Sequence, residues 1–252
     1  AKDLAPEASW IGEDSSRADP FYLIDAFNIA ADYGAKIVTY ADTAGYSLPD
    51  ELGGRVRSIV NSISPKVRVG IHCHNDLGLA VANTLSAISA GAKEVQCTIN
   101  GVGERAGNAS LEEIVMAIQV RKDNLNASTE VDSRLLTNTC DLVSKFSNSP
   151  IPKNKPIVGE NAFAHCSGMH QHGVLACAEN YEIMKPADIG AEGRGIIINR
   201  YSGRHGVKHI LEESGVSVSN NILDKLMKDI KLLNDDQQID ADDMISMLEK
   251  YE

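Results

Sequence analysis

The sequence predicts an α/β chain built from repeated strand–helix units with a parallel sheet, followed by a smaller helical region. Three observations carry this expectation. Equivalent helix-to-strand joints recur at Gly34-Ala35-Lys36 and Gly91-Ala92-Lys93. Strand-like runs begin near residues 36, 67 and 93, and a spacing of about 25 to 30 residues fits one unit of a (β/α)8, or TIM, barrel. Past Asp123 that rhythm stops, and proline, asparagine and lysine gather over residues 150–156. A whole barrel takes about 250 residues, whereas only about four units are legible. The expected organisation is residues 1–123 as the second half of a TIM barrel, then residues 124–252 as small, mainly helical linker subdomains.

Residues 1–9 show no strong periodicity and offer no first strand, and Trp10 to Arg17 reads as a polar loop. Asp19-Pro20 starts a helix, with aspartate as N-cap and proline at the first helical position, and Gly34 ends it. Lys36 to Tyr40 is a strand, Ala41 to Gly45 the loop after it, and Pro49 opens a helix to about Ile63. A β-branched run from Val67 ends in His72-Cys73-His74, and a helix from Leu77 carries an apolar stripe at Ala80, Val81, Leu85 and Ile88. Lys93 to Ile99 is the next strand; a glycine-rich turn to Asn108 and a helix marked by Leu111, Ile114, Val115 and Ile118 follow. Further on, the pattern predicts a helix over Val131 to Phe146, a loop of histidines from Gly159 to Gly173, a short strand within 196–201 and helices near 204–214, 220–234 and 241–250.

Composition narrows the function. A net charge of −11 argues against nucleic acid or an anionic membrane surface as a partner. No apolar run approaches the roughly 20 residues of a membrane span. Five cysteines without a C-x-x-C pair fit reduced thiols and a cytoplasmic protein.

Side chains alternate across a strand, so His72 and His74 share one face while Cys73 points to the other. Two imidazoles so placed can grip one metal ion, although an H-x-H at a sheet end is also ordinary polar filling. Cys73 is expected to pack against a helix. Gly101 and Gly103 are a weak phosphate signal, since a tight turn alone explains them.

His72-Cys73-His74-Asn75-Asp76-Leu77-Gly78, joined to Gly101-Val102-Gly103-Glu104-Arg105-Ala106-Gly107-Asn108, resembles the signatures of the 2-isopropylmalate synthase and homocitrate synthase family, metal-dependent acyl-CoA condensing enzymes on a TIM barrel. Glu13 to Arg17 is similar to that family's loop after strand five and Asp42 to Tyr46 to its loop after strand six. Ala162 to Gly173 and Ser202-Gly203-Arg204 are similar to its linker subdomains. The resemblance implies condensation of acetyl-CoA with a small 2-oxo acid, 3-methyl-2-oxobutanoate, in the first committed step of leucine synthesis. Citramalate or homocitrate synthase activity is the alternative within the family. An inert dimerisation fragment is the alternative outside it.

What the resemblance implies for individual residues is specific. His72, His74 and the side-chain carbonyl of Asn108 would be ligands of a divalent metal, Mn, Mg, Zn or Co. The family's fourth ligand, in an Asp-Arg-Glu motif after strand one, has no counterpart in this sequence. His170 would be nearest to a general base, reaching the neighbouring subunit of a homodimer. Glu13 matches a catalytic glutamate, Thr43 a threonine near the 2-oxo acid, and Glu104 a polar residue that orients the site, although Glu104 could merely pair with Arg105. One position departs from the pattern: the family usually has aspartate after His170-Gln171, and this chain has His172.

Overall fold

The computed structural model describes residues 5–193, 195–235 and 237–251. They form two compact units, residues 1–150 and 151–252, and expectations that fall on residues 1–4, 194, 236 and 252 lie outside what is described.

The first unit is a four-stranded parallel sheet in the order β1-β2-β3-β4, with β1 at Ser9–Gly12, β2 at Ile37–Asp42, β3 at Arg68–Cys73 and β4 at Glu94–Gln96. Helices α1 (Pro20–Asp32), α2 (Pro49–Ser62) and α3 (Ala80–Ala90) connect them, and α4 (Leu111–Val120) follows β4. The alternation of each strand divides its residues between two faces. Val38, Tyr40, Val69, Ile71 and Cys73 pack beneath the helices against Phe27, Leu52, Val56 and Ala80. Thr39, Gly70, His72 and Gln96 lie on the other face, in register across β2, β3 and β4.

Local chemistry explains the boundaries. The Asp19 side chain accepts from the backbone N–H groups of Phe21 and Tyr22 and starts α1. Gly91, at φ 113°, ends α3 in the left-handed conformation that glycine adopts without cost. Gly53 lies inside α2, where glycine weakens a helix, but a Cβ there would strike Ser86 Oγ on α3. The helix gives up propensity for closeness.

Four expectations need correction. Trp10 is not in a polar loop: Ser9–Gly12 pairs along β2, and Trp10 packs edge-on against Phe27 with ring centroids 5.6 Å apart. Leu77 precedes its helix and is exposed; the Asn75 side chain accepts from Ala80 N at 3.1 Å and begins α3 there. The strand expected over Lys93 to Ile99 is the three residues of β4, and Ile99–Gly101 is a 3-10 turn. The first unit also extends past the expected boundary at Asp123. A short helix α5 (Lys122–Leu125) leads to α6 (Leu136–Ser147), which buries Leu136 and Cys140 and offers the Cys140 carbonyl to Asn100 Nδ2 at 2.8 Å.

The second unit holds a two-stranded parallel pair, β5 (Ala164–His165) and β6 (Gly195–Ile196), and helices α7 (Gly168–Ala176), α8 (Arg204–Glu213), α9 (Asn220–Ile230) and α10 (Ala241–Leu248). Its core gathers Val207, Leu211, Leu223, Leu226, Ile230 and Met244. Part of the expected loop of histidines is therefore helical, with Ser167 capping α7.

Candidate metal centre

The carboxyl ends of β2, β3 and β4 carry the loops that meet around His72 and His74. The turn after β4 doubles back through four left-handed positions, Asn100 (φ 60°), Gly101 (φ 68°), Arg105 (φ 55°) and Gly107 (φ 90°). It returns the chain so that Asn108 forms an antiparallel bridge with His74, and Ala109 N donates to Cys73 O at 3.1 Å. Directly opposed residues of an antiparallel pair project to the same side. Asn108 therefore joins His72 and His74 on one face.

The two rings stand edge-on, 4.9 Å between centroids, with their Nε2 atoms 3.2 Å apart. The His74 Nδ1 lies 2.6 Å from the backbone carbonyl of Thr43. That contact fixes Nδ1 as the protonated nitrogen and leaves a lone pair on Nε2, the arrangement a carbonyl imposes on a ligating imidazole. Burial, and then the neighbouring His74, hold His72 below the ordinary imidazole value, against a smaller opposing effect of Gln96. Neutral imidazole is the form that ligates.

Whether these residues fit a divalent ion can be tested on their geometry. Two nitrogens each about 2.1 Å from one ion are roughly 3.0 to 3.4 Å apart for angles between a right angle and the tetrahedral value, and the 3.2 Å separation lies in that range. Asn108 Oδ1 is buried and accepts no hydrogen bond, as is His72 Nδ1. A buried carbonyl without a donor is costly, and a cation would satisfy this one. The set fits a metal through two nitrogens and one amide oxygen. Among the described residues no group of three or more His, Cys, Asp and Glu side chains converges on such a point, so the fit depends on the amide.

The other expected residues are placed as follows. Thr43 is a hub: its Oγ1 accepts from Asp14 N at 2.9 Å, and its carbonyl accepts from the His74 ring and from Arg105 Nη2. Glu13 is exposed, next in sequence to the Asp14 amide that Thr43 holds. Glu104 is exposed on the turn; the partner of Arg105 is Asp76, at 2.7 Å, with the charge of Glu104 a lesser influence. His170 lies in the second unit, exposed on α7, with its ring 4.4 Å from that of Tyr181. His172 is exposed beside His205, ring centroids 4.7 Å apart. Cys73 is fully buried on the helix side, where burial pushes its thiol up to about 12.

Three residues carry more than the sequence indicated. Arg105 and Asp76 bridge the loops after β4 and β3, a pairing between residues 29 apart that no local pattern signals. Gln171 is fully buried: its Nε2 donates to the carbonyls of His165 and Ile197, with Ser202 Oγ 3.3 Å away, and its Oε1 accepts from Gly203 N. Its place inside the histidine run was the one available signal.

Comparison with known proteins identifies the family. A family described as HMGL-like matches residues 1–143, and one described as homocitrate synthase post-HMGL domain-like matches residues 157–238. The chain is 44% identical over 256 residues to a 2-isopropylmalate synthase of Clostridium kluyveri, covering 100% of this chain and 50% of that protein. It is 42% identical over 238 residues to the 2-isopropylmalate synthase of Aquifex aeolicus, covering 93% of this chain and 46% of that one. The chain thus spans about half the length of the curated relatives it matches. Among solved structures, an HMG-CoA lyase of Bacillus subtilis aligns at 20% identity over 54% of this chain and 46% of its own, with a TM-score of 0.47. With the HMGL-like match covering more than half of its residues, the chain belongs to the HMGL-like family, and its relatives at 40–44% identity are 2-isopropylmalate synthases.

Proposed function

We propose that this chain supplies the second half of a TIM barrel and the linker subdomains of an acyltransferase that condenses acetyl-CoA with 3-methyl-2-oxobutanoate to give 2-isopropylmalate. The observation that carries the proposal is the pair of imidazole Nε2 atoms 3.2 Å apart at a strand end, on one face with the unsatisfied Asn108 carbonyl. The relatives' names support it, and the five cysteines without C-x-x-C spacing support a cytoplasmic setting.

Chemically, a thioester methyl is a weak acid and a ketone a modest electrophile, so a base and a polarised carbonyl are both needed. His72, His74 and Asn108 would hold the divalent ion, Mn, Mg, Zn or Co. When bound, the ion acts as a Lewis acid toward the 2-oxo acid. Thr43 lines the position of the 2-oxo acid, Glu13 is the catalytic glutamate, and Glu104 orients the site. His170 takes the methyl proton of acetyl-CoA, or the proton of the water that cleaves the thioester and frees CoA; neutral imidazole suits both tasks. It would do so in the neighbouring subunit of a homodimer.

The test is CoA release with acetyl-CoA, 3-methyl-2-oxobutanoate and Mn, on protein of known intact mass. A longer protein carrying these residues is expected to turn over and to lose activity in His72→Ala, while the 27.1 kDa chain alone turns over little or nothing. Full turnover by the 27.1 kDa chain would overturn the half-barrel reading; inactivity of the longer protein would overturn the function. The match of residues 157–238 to a homocitrate synthase domain favours a second reading. The same assay with 2-oxoglutarate in place of 3-methyl-2-oxobutanoate separates the two.

A further inference from the structure

The Arg105 side chain joins three loops. Its Nε donates to Asp76 Oδ1 at 2.7 Å, and its Nη2 lies 2.7 Å from Asp76 Oδ2, 2.8 Å from the Thr43 carbonyl and 3.1 Å from His74 Nδ1. We infer that Arg105, anchored by Asp76, is the positioning residue that presets the His74 ring with its proton on Nδ1 and its lone pair on Nε2, so that His72 is the imidazole that rearranges when a metal binds. This inference deepens the proposed metal site and rests on that reading for its metal-binding arm alone.

Counting hydrogens gives the assignment. A guanidinium is always a donor, and each terminal nitrogen carries two hydrogens. The shorter contacts from Nη2, to Asp76 Oδ2 and the Thr43 carbonyl, use both. None is left for His74 Nδ1. Without a proton of its own, Nδ1 would face the Thr43 oxygen lone pair to lone pair at 2.6 Å. Nδ1 is therefore the donor to Thr43, and Nε2 is bare. The carbonyl accepts from both the ring and the guanidinium, so Arg105 holds the acceptor where the ring needs it. The backbone adds a sign of constraint, because Arg105 sits at φ 55°, a conformation that non-glycine residues seldom adopt.

The consequence falls on His72. Its Nε2 is 3.2 Å from the bare Nε2 of His74. For the two rings to hydrogen-bond to one another at that distance, His72 supplies the hydrogen, which leaves its own Nδ1 as the buried, unsatisfied lone pair. To ligate through Nε2, His72 must carry its proton on Nδ1 instead. One imidazole is ready and the other exchanges tautomers.

Long-range 1H–15N spectra of the histidine rings test this in the metal-free chain, at about pH 8, above the ordinary imidazole range. His74 is expected as the Nδ1–H tautomer and His72 as Nε2–H; added Zn2+, a diamagnetic probe, moves only His72 to Nδ1–H. Arg105→Gly suits the backbone at φ 55° and so removes the side chain without adding strain. It is expected to divide His74 between both tautomers and to weaken Zn2+ binding about tenfold to a hundredfold, the usual effect of losing a group that orients a ligand. Asp76→Asn should do the same to a smaller degree, and Arg105→Lys, with one compact ammonium, should restore only part. His74 remaining wholly Nδ1–H in Arg105→Gly would overturn the inference, as would His74 found as Nε2–H in the unaltered chain. If a longer protein carrying these residues binds no Zn2+, the metal reading fails. The tautomer spectra still decide the role of Arg105.

Discussion

The Asn108 amide is seated against the main chain of its own turn. A Cβ added at Gly103 would land on Asn108 Oδ1, so Gly103→Ala must push the amide aside while leaving the distant core untouched. We expect that substitution to lower Zn2+ affinity about tenfold with little change in the thermal midpoint, read by titration calorimetry and a melting curve. Cys73 makes the opposite case. Fully buried, with its thiol pushed up to about 12, it should react with a thiol reagent only on unfolding, whereas exposed Cys177 is labelled in the native chain. The facing pair His72 and His74 was legible because a strand's period of two is a purely local rule. Asn108 was legible through family resemblance alone, since its position depends on left-handed residues spread along the turn from Gly101 to Gly107. Arg105 and Asp76 were written in full view but without a role, because only the folded loops bring them together.

Elements with strong end signals were read well. Asp19-Pro20 and the glycine after α3 act through backbone chemistry that needs no tertiary partner. Replacing Gly91 by alanine keeps the helix but forces a side chain into the left-handed region at φ 113°. The expected cost is about 1 to 2 kcal/mol, measurable by urea unfolding. Strand β1 escaped notice because its four residues alternate poorly, with three of them exposed, and only pairing with β2 defines it. Helix α7 was hidden by its composition, two glycines and two histidines in nine residues. What holds it is Gln171, whose amide binds the carbonyls at His165 and Ile197 and the amide of Gly203. Truncation of Gln171 to alanine strands those groups. At about 1 to 3 kcal/mol for each buried polar group left without a partner, the second unit should melt well below its normal midpoint, while Gln171→Glu recovers only the contact to Gly203.

Across the whole molecule, each unit has its own apolar core, and among the described residues the sheet of the first is bounded by β1 on one side and β4 on the other. Unpaired strand edges invite association. The isolated chain should self-associate as concentration rises, and Ile11→Lys, placing charge on the half-exposed edge strand, should reduce that association in light scattering. The extent of the first unit was not legible, because the rhythm of strands and helices ends near Arg121 while the bond from Asn100 to the Cys140 carbonyl ties α6 to it. His72, His74 and Asn108, by contrast, all fall between the start of β3 and the start of α4. During synthesis the N-terminal parts of a chain emerge and fold first. A ribosome would release all three candidate ligands before it had made any of the second unit, residues 151–252. Under the proposed metal reading, capture would accompany translation, and the ion present in the compartment of synthesis would set which metal fills the site.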